Sequence, residues 1–312
     1  MTSNGDEELD GRVVVVTGAG SGLGAAHATA LARAGARVVV NDVAAKAAEV
    51  VAEAIRESGG EASAVGGSVA SWDEGAAVAE HAMTTFGRID GVVANAGVLL
   101  DSMVGDMTEQ TWRRVVDVNL TGSFTVVRAA WPHMTAQGSG RVVLTTSASG
   151  LFGNRGHANY GAAKAGVLGL ARMLAVEGAE HGITANAVAP LALTPMSGDT
   201  SGSRTSASSL LGDLFARMAP DDVSPLVVWL CSPSCTTTGQ AFSVGGGRIA
   251  RIFVGESPGW VGDRPPAVAD IRRNWDTICA TDGFHEPARM ADELALYSRS
   301  LLDLPDTGRP ER

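Results

Sequence analysis

Residues 12–24 read RVVVVTGAGSGLG, and this stretch decides the fold. The apolar run from Arg12 to Val16 is typical of a strand buried on both faces of a parallel sheet. The glycines after it let the backbone turn sharply and approach a pyrophosphate at the N-terminus of the helix that follows. Strand, turn and helix together predict a dinucleotide site, whereas the glycine run alone would fit a plain tight turn. The predicted contacts are Gly18, Ser21, Gly22, Leu23 and Gly24.

The same alternation of apolar runs and helical stretches continues along the chain. Alanine-rich segments with helical periodicity, such as 24–34 and 43–58, separate the runs. This spacing predicts an α/β fold of the Rossmann type, a doubly wound parallel sheet with helices on both faces. The further predicted strands are Arg37 to Asn41, Gly91 to Asn95, Gly140 to Thr145, Thr184 to Val188 and a last one near Ala241 to Val244.

Changes in composition suggest how the chain is organised. We expect residues 1–9 to be a flexible N-terminus and residues 10–254 to form a single domain. The segment 194–218 begins rich in Ser, Gly and Thr and is interpreted as a flap over a cleft, with a surface loop as the alternative. Residues 255–312 contain a proline-punctuated linker and are predicted to form a C-terminal extension. Its predicted helices are Ala267 to Ile278 and Pro287 to Leu302.

Charge and composition exclude several classes of protein. The formal net charge of −10 argues against a general affinity for nucleic acid or anionic membranes. The N-terminus resembles no signal peptide and no apolar run reaches the length of a membrane span, so we expect a cytoplasmic enzyme. The histidines form no metal-binding pattern, and no metal is expected. Three cysteines are expected to be buried, reduced thiols, namely Cys231, Cys235 and Cys279.

Asp42 ends the second predicted strand, where an acidic side chain can accept hydrogen bonds from both ribose hydroxyls of a dinucleotide. The same carboxylate would repel a 2′-phosphate, and the sequence places no arginine beside it. Asp42 therefore favours NAD over NADP as the cofactor. The alternative is a solvated turn aspartate.

Tyr160 and Lys164 are a second unusual feature, because the chain contains only two tyrosines and two lysines. Four residues apart on a helix, their side chains project from one face. A tyrosine that exchanges protons near neutrality needs its anion stabilised, and a neighbouring ammonium can do this. The pair is therefore predicted to be an acid/base device, with an ordinary surface helix turn as the alternative.

At this point the motifs resemble those of the short-chain dehydrogenase/reductase family. The chain has its T-G-x-x-x-G-x-G run at Thr17 to Gly24 and Y-x-x-x-K at Tyr160 and Lys164, with matching residues in order between them. The resemblance implies that Ser147 orients the substrate oxygen, Tyr160 exchanges the proton, and Asn119 holds a water that feeds Lys164. Ser149 is the weaker alternative to Ser147. The implied cofactor contacts beyond the first turn are Ser68, Val69, Asn95, Ala96, Gly97, Tyr160, Lys164, Pro190 and Thr194.

Two departures from the common pattern of the family point to one branch of it. Leu191 follows Pro190 where the family usually has glycine, and Ser68 precedes Val69 where it usually has aspartate. Both features, together with segments such as 147–154 and 271–279, resemble the (3R)-hydroxyacyl-CoA dehydrogenase unit of the peroxisomal multifunctional enzyme type 2 and its bacterial single-domain relatives.

This branch implies NAD-dependent interconversion of a (3R)-3-hydroxyacyl-CoA and a 3-oxoacyl-CoA by a homodimer or homotetramer. Arg155, Arg204 and Arg251 are candidate contacts for the CoA phosphates. One alternative is another secondary alcohol or ketone as substrate, such as a hydroxysteroid or a polyketide. The other is a non-catalytic sensor that binds the dinucleotide.

Overall fold

The structure is a computed structural model that describes residues 8–192, 218–262 and 265–302. Its strands form one eight-stranded sheet in the order β3-β2-β1-β4-β5-β6-β7-β8. Strands β1 to β7 pair in parallel. Only two glycines connect β7 to β8, and because so short a connection joins antiparallel strands, β8 runs antiparallel to β7. The strands are β1 (Val13–Thr17), β2 (Arg37–Asp42), β3 (Glu61–Gly66), β4 (Gly91–Ala94), β5 (Gly140–Thr145), β6 (Ile183–Pro190), β7 (Ala241–Gly245) and β8 (Arg248–Ile252).

Helices cover both faces of this sheet, so the predicted doubly wound fold is confirmed. Helices α1 and α8 pack against each other, as do α3 and α5. A five-residue π-helical segment, Asp117–Thr121, joins α4 directly to α5. The helices before residue 252 are α1 (Gly22–Arg33), α2 (Ala45–Glu57), α3 (Trp72–Phe86), α4 (Glu109–Val116), α5 (Gly122–Gln137), α6 (Ala148–Phe152), α7 (Ala158–Gly178) and α8 (Ser224–Cys231).

The predicted strands are present, but β3 and β8 were not predicted. All five residues of β1 are buried, as expected for a strand covered on both faces. Strand β3 instead has the sequence EASAVG and only one buried residue, because it lies at an edge of the sheet. Strand β8 lies at the other edge and is also largely exposed. Edge strands lack the continuous apolar run on which the prediction rested.

Asp90 organises the amino-terminal edge of the sheet, directly before β4. Its carboxylate accepts hydrogen bonds from Arg12 Nη1 at 2.9 Å, from Arg88 Nε and Nη2 at 2.7 Å each, and from the amide of Val13 at 2.9 Å. Burial alone would raise the pKa of Asp90, but these bonds and the charge of Arg88 hold it below its usual value. This carboxylate therefore stabilises the fold as an anion.

The chain divides into two compact units between Arg251 and Ile252, near the predicted boundary at residue 254. At the predicted N-terminal boundary, Leu9 is fully buried and its amide donates to Ala34 O at 2.9 Å. The rest of the predicted flexible N-terminus, residues 1–7, and the predicted flap from residue 194 to 217 lie outside the described residues.

The second unit contains the predicted helical extension, with one difference. The helix predicted at 267–278 is two helices that meet at Asn274, whose side chain donates to Asp270 O at 2.8 Å. The cysteine prediction also needs a correction. Cys231 and Cys235 are buried, but Cys279 is exposed. The helices here are α9 (Val268–Arg273), α10 (Trp275–Cys279) and α11 (Met290–Leu302).

Candidate active site

The residues predicted from the sequence meet where the parallel strands end. The predicted catalytic and cofactor-binding residues line one cavity of about 370 Å³ at the carboxyl-terminal edge of the sheet, where the loops after β1 to β6 converge. Among these catalytic and cofactor-binding residues, Thr194 alone lies outside the described residues. The predicted residues in the lining are Gly18, Ser21, Gly22, Leu23, Gly24, Asp42, Ser68, Val69, Asn95, Ala96, Gly97, Asn119, Ser147, Tyr160, Lys164 and Pro190.

The glycine-rich turn after β1 is built so closely that side chains would not fit. Gly18 has φ +61°, and a Cβ at Gly24 would collide with Gly18 O. Ser21 is the N-cap of α1, but its side chain accepts no hydrogen bond from the first turn. Backbone N–H groups at this helix end are therefore open to an anion. This cradle fits the pyrophosphate of a dinucleotide.

Asp42 lies at the end of β2 beside this turn. One carboxylate oxygen accepts from the amide of Gly20 at 3.0 Å, and the other accepts from the amide of Ala44 at 2.9 Å. A carboxylate has about four acceptor positions, so each oxygen retains capacity for a further donor. The position and the capacity both fit ribose hydroxyls.

The turn after β4 fixes the glycine-rich turn from the other side. Thr17 Oγ1 accepts from the amides of Asn95 and Ala96 at 3.1 Å each. The Asn95 side chain donates in return to Thr17 O at 3.0 Å and Gly18 O at 3.3 Å. These reciprocal bonds keep the two turns that are predicted to bind the cofactor in register.

Asn119 belongs to the π-helical segment and is fully buried. Its Nδ2 donates to Val98 O at 2.8 Å and Val115 O at 2.9 Å. Its Oδ1 is buried and has no hydrogen-bond partner among the residues that the structure describes. A Cβ on Gly97 would lie 2.6 Å from this oxygen and 3.7 Å from Lys164 Nζ. The unpaired oxygen and the ammonium therefore face the same small space beside Gly97.

Tyr160 and Lys164 share one face of α7, as predicted. Lys164 Nζ lies 5.7 Å from the centroid of the Tyr160 ring and donates to Thr145 O at 2.6 Å. Lys164 is almost fully buried, and this burial lowers its pKa to about 7. A lysine in this state can gain or lose a proton near neutral pH.

Ser147 lies next to the phenol of Tyr160. Burial raises the pKa of Tyr160, and a hydrogen bond with Ser147 partly opposes this rise. The pKa of the phenol is therefore not lowered by the protein alone, because the desolvation of Tyr160 outweighs the effect of Ser147. The positive ring of an oxidised nicotinamide, when bound here, would supply further stabilisation of the phenolate.

Of the two departures from the family pattern, Ser68 lines the cavity, and Leu191 directly follows Pro190, which also lines it. The Ser68 amide donates to Glu74 Oε2 at 2.7 Å, and Val69 is nearly buried beside it. Pro190 ends β6. The Leu191 amide donates to Val244 O at 2.8 Å, so backbone hydrogen bonding to β7 continues one residue beyond the end of β6.

Several residues that sequence reasoning did not select also line the cavity. His157 lies directly before α7, and Arg114 lies on α4. Of the arginines proposed for CoA, Arg155 and Arg251 do not line this cavity, and Arg204 lies outside the described residues. The sequence signal that could have identified His157 was its position three residues before Tyr160.

The described residues contain no group of three or more His, Cys, Asp or Glu side chains that could hold a metal ion. In that part of the chain no helix combines the length and the hydropathy needed to cross a bilayer.

Comparison with known proteins adds evidence that is independent of this geometry. The family model described as short chain dehydrogenase matches residues 12–204. A short-chain type dehydrogenase/reductase of Mycobacterium tuberculosis is 44% identical over 282 residues, which cover 87% of this chain and 95% of that protein.

Longer relatives match the chain as well. Peroxisomal multifunctional enzyme type 2 of Mus musculus is 42% identical over 294 residues, covering 89% of this chain and 38% of the mouse protein. The structure of the full-length enzyme of the same name from Drosophila melanogaster superposes with a TM-score of 0.79 at 34% identity, covering 94% of this chain and 50% of that one. The chain thus spans half or less of these two proteins, and the predicted resemblance to this branch is confirmed.

Proposed function

The chain belongs to the short-chain dehydrogenase family, and on that premise we propose that it oxidises a (3R)-3-hydroxyacyl-CoA to the 3-oxoacyl-CoA with NAD. Membership of the family makes it an oxidoreductase acting on CH–OH groups, so the hypothesis of a non-catalytic sensor is dropped. The observation that carries the proposal is that Ser147, Tyr160 and Lys164 line the same cavity as the glycine-rich turn and Asp42.

In the proposed mechanism Tyr160 accepts the proton of the substrate hydroxyl while Ser147 holds the same oxygen by a hydrogen bond. Bound NAD supplies the hydride acceptor. Ser147 lies close enough to the phenol to lower its pKa, and both residues line the cavity, so both groups can approach one substrate oxygen. Their shared position fixes which carbon can be oxidised.

Lys164 takes part in moving the proton away from Tyr160. Its pKa of about 7 suits a group that is protonated and deprotonated in each cycle. Asn119 Oδ1 is a buried acceptor without a partner, facing the space that Lys164 Nζ also faces. A water bound by Asn119 would complete a path from Lys164 towards solvent.

The preference for NAD rests on Asp42. The described contacts of its carboxylate are the amides of Gly20 and Ala44, and neither brings a positive charge. A 2′-phosphate at this position would meet a carboxylate at close range, and repulsion between like charges would disfavour NADP.

The acyl-CoA substrate is supported by the resemblance of nearly the whole chain to one branch of the family. A test would measure kcat/KM of the full chain with NAD and NADP for 3R- and 3S-hydroxyacyl-CoAs of several lengths, hydroxysteroids and simple secondary alcohols. We expect the highest value for NAD with a 3R-hydroxyacyl-CoA. Reduction of NAD by steroid alcohols but never by 3-hydroxyacyl-CoAs would overturn the substrate and leave the hydride chemistry intact.

A further inference from the structure

Two serine hydroxyls, not one, follow β5 into the cavity. Ser147 and Ser149 both line it, and the Ser149 amide donates to Ser147 Oγ at 3.2 Å. This bond holds the first turn of α6 so that the two side chains belong to one wall. The proposed mechanism uses Ser147 alone, which leaves Ser149 as a polar group without an assigned role.

His157 connects Ser149 to a third part of the site. Its Nε2 lies 3.2 Å from Asp101 Oδ1, in the loop after β4. A carboxylate only accepts hydrogen bonds, so Nε2 carries a proton, and in the tautomer protonated at Nε2 alone Nδ1 is an acceptor. The donor nearest to Nδ1 is Asn154 Nδ2 at 3.1 Å, and Ser149 Oγ lies farther away at 3.4 Å.

The position of the imidazole is well defined. Only 15% of the His157 side chain is exposed, and its ring packs edge-on against Tyr160 with centroids 6.0 Å apart. The backbone supports this placement, because the Ser102 amide donates to Gly156 O at 2.9 Å and Asn159 Nδ2 donates to Leu100 O at 3.0 Å. The loop after β4 is therefore fastened to the start of α7.

The hydroxyl proton of Ser149 is held only by a long contact with His157 and can pass to another acceptor. Nδ1 of His157 already accepts from Asn154, and 3.4 Å is long for a bond from a hydroxyl. Ser149 thus offers a donor to the cavity, two residues along the chain from the serine that holds the reacting oxygen.

We propose that Ser149, positioned by His157 and Asp101, donates a hydrogen bond to a second substrate oxygen in a 1,3-relation to the reacting hydroxyl. This inference rests on the proposed function, since the thioester carbonyl of a 3-hydroxyacyl group is such an oxygen. Ser147 and Tyr160 hold the first oxygen, and Ser149 holds the second. The pair selects β-oxygenated carbonyl substrates over simple secondary alcohols.

The test uses two small probes that differ in one oxygen. One is (R)-3-hydroxybutyryl-N-acetylcysteamine, and the other is the matched thioether alcohol in which a methylene replaces the thioester carbonyl. For each probe, kcat/KM is measured with NAD for the wild type and for Ser149→Ala. We expect Ser149→Ala to lower kcat/KM for the thioester about ten-fold and to change the thioether value less than about two-fold.

Variants of His157 provide a second, independent measurement. His157→Gln retains a donor for Asp101 and an acceptor for Asn154, so kcat/KM for the thioester should stay within about three-fold of the wild type. His157→Leu has neither and should reproduce the loss seen with Ser149→Ala. NAD binding, measured by titration, checks that each variant is folded.

The outcomes separate this inference from the function on which it rests. A wild-type enzyme that shows no preference for the thioester over the thioether overturns the proposed acyl substrate. A wild-type preference that Ser149→Ala leaves intact overturns the role of Ser149 alone. Equal losses for both probes in Ser149→Ala and His157→Leu would also overturn it, because a merely structural role affects both probes alike.

Discussion

The two edges of the sheet each contain a buried or half-buried aspartate, and the two carboxylates are used differently. Asp90 at the amino-terminal edge accepts from three nitrogens of two arginines and from one backbone amide. Asp42 at the carboxyl-terminal edge accepts, among the described residues, from two backbone amides. One carboxylate is saturated by charged partners, and the other retains acceptor capacity.

Other buried polar groups follow the same division. Within the described part of the chain, Lys164 at the carboxyl-terminal edge has one carbonyl partner, and the side-chain oxygen of Asn119 has no hydrogen-bond partner. Such arrangements cost stability, because burying an unpaired polar or charged group is unfavourable. The amino-terminal edge thus stabilises the fold, while the carboxyl-terminal edge keeps groups available for chemistry. Four substitutions test this difference between the two edges.

Tyr160→Phe should have the largest effect. Removing the phenolic hydroxyl removes the proposed proton acceptor, so kcat should fall about 10³-fold while the Kd for NAD changes little. Stability should not decrease, because the hydroxyl is desolvated. Tyr297→Phe, at the only other tyrosine, is the matched control and should retain activity. Unchanged turnover in Tyr160→Phe would contradict the assigned mechanism.

Lys164→Met should stabilise the protein free of cofactor, most strongly at low pH. The pKa of this lysine is about 7 in the folded state against 10.5 for an ordinary lysine, so between these values the unfolded chain binds more protons. Wild-type stability should therefore rise with pH across this window. We expect the variant to be more stable by about 3 kcal/mol at pH 6, with the difference shrinking towards pH 10.

Urea unfolding at several pH values measures this effect, and Lys46→Met at the only other lysine is the control. Lys46 is exposed, so its substitution should produce no pH-dependent difference. A constant difference between wild type and Lys164→Met across pH would contradict the desolvation argument.

Asp90→Asn should lower stability without lowering activity. Loss of the anion leaves Arg88 and Arg12 without their shared partner, and the free energy of unfolding should fall by about 2 kcal/mol at pH 7. Because the folded pKa of Asp90 is depressed, this contribution is present above the unfolded pKa near 3.8 and is lost as pH falls through the folded value.

Chemical denaturation at pH 7 and at pH 3 measures both parts of this prediction. Glu49→Gln is the control, because its ion pair with Arg56 is exposed and should contribute less than about 0.5 kcal/mol. A large loss of kcat in Asp90→Asn, at a temperature where the variant is folded, would contradict the assignment of the amino-terminal edge to stability alone.

Asp42→Ser should have the smallest effect, confined to the choice of cofactor. The variant loses the acceptor for the ribose hydroxyls and the repulsion of a 2′-phosphate, so kcat/KM for NAD should fall about ten-fold and that for NADP should rise. Steady-state kinetics with both cofactors measure the ratio, and each cofactor serves as the control for the other. An unchanged ratio would contradict the role of Asp42.

Much of the fold and the cavity could be predicted because certain residues have strict local requirements. The glycines at 18 and 22 have positive φ, and Tyr160 and Lys164 share a helix face by spacing alone. A continuous apolar run likewise identifies a strand buried on both faces. These signals depend on neighbours in the chain, and the sequence contains them directly.

The features that were missed depend on contacts between distant segments. His157 joins the site through Asp101, from the loop after β4, and Ser149, from α6. Cys279 is exposed because of how the second unit folds, and nothing in its immediate sequence reveals this. Edge strands such as β3 are held by backbone pairing with a neighbour, so their side chains need not be apolar.

The π-helical segment at Asp117–Thr121 also has a genetic consequence. A wider turn of this kind within a continuous helix is equivalent to one inserted residue, since each hydrogen bond spans five residues in place of four. Deleting one residue here would give a regular helix from Glu109 to Gln137 and would rotate Asn119 away from Lys164. Deletion of a single codon here would therefore be expected to yield a well-folded but inactive protein.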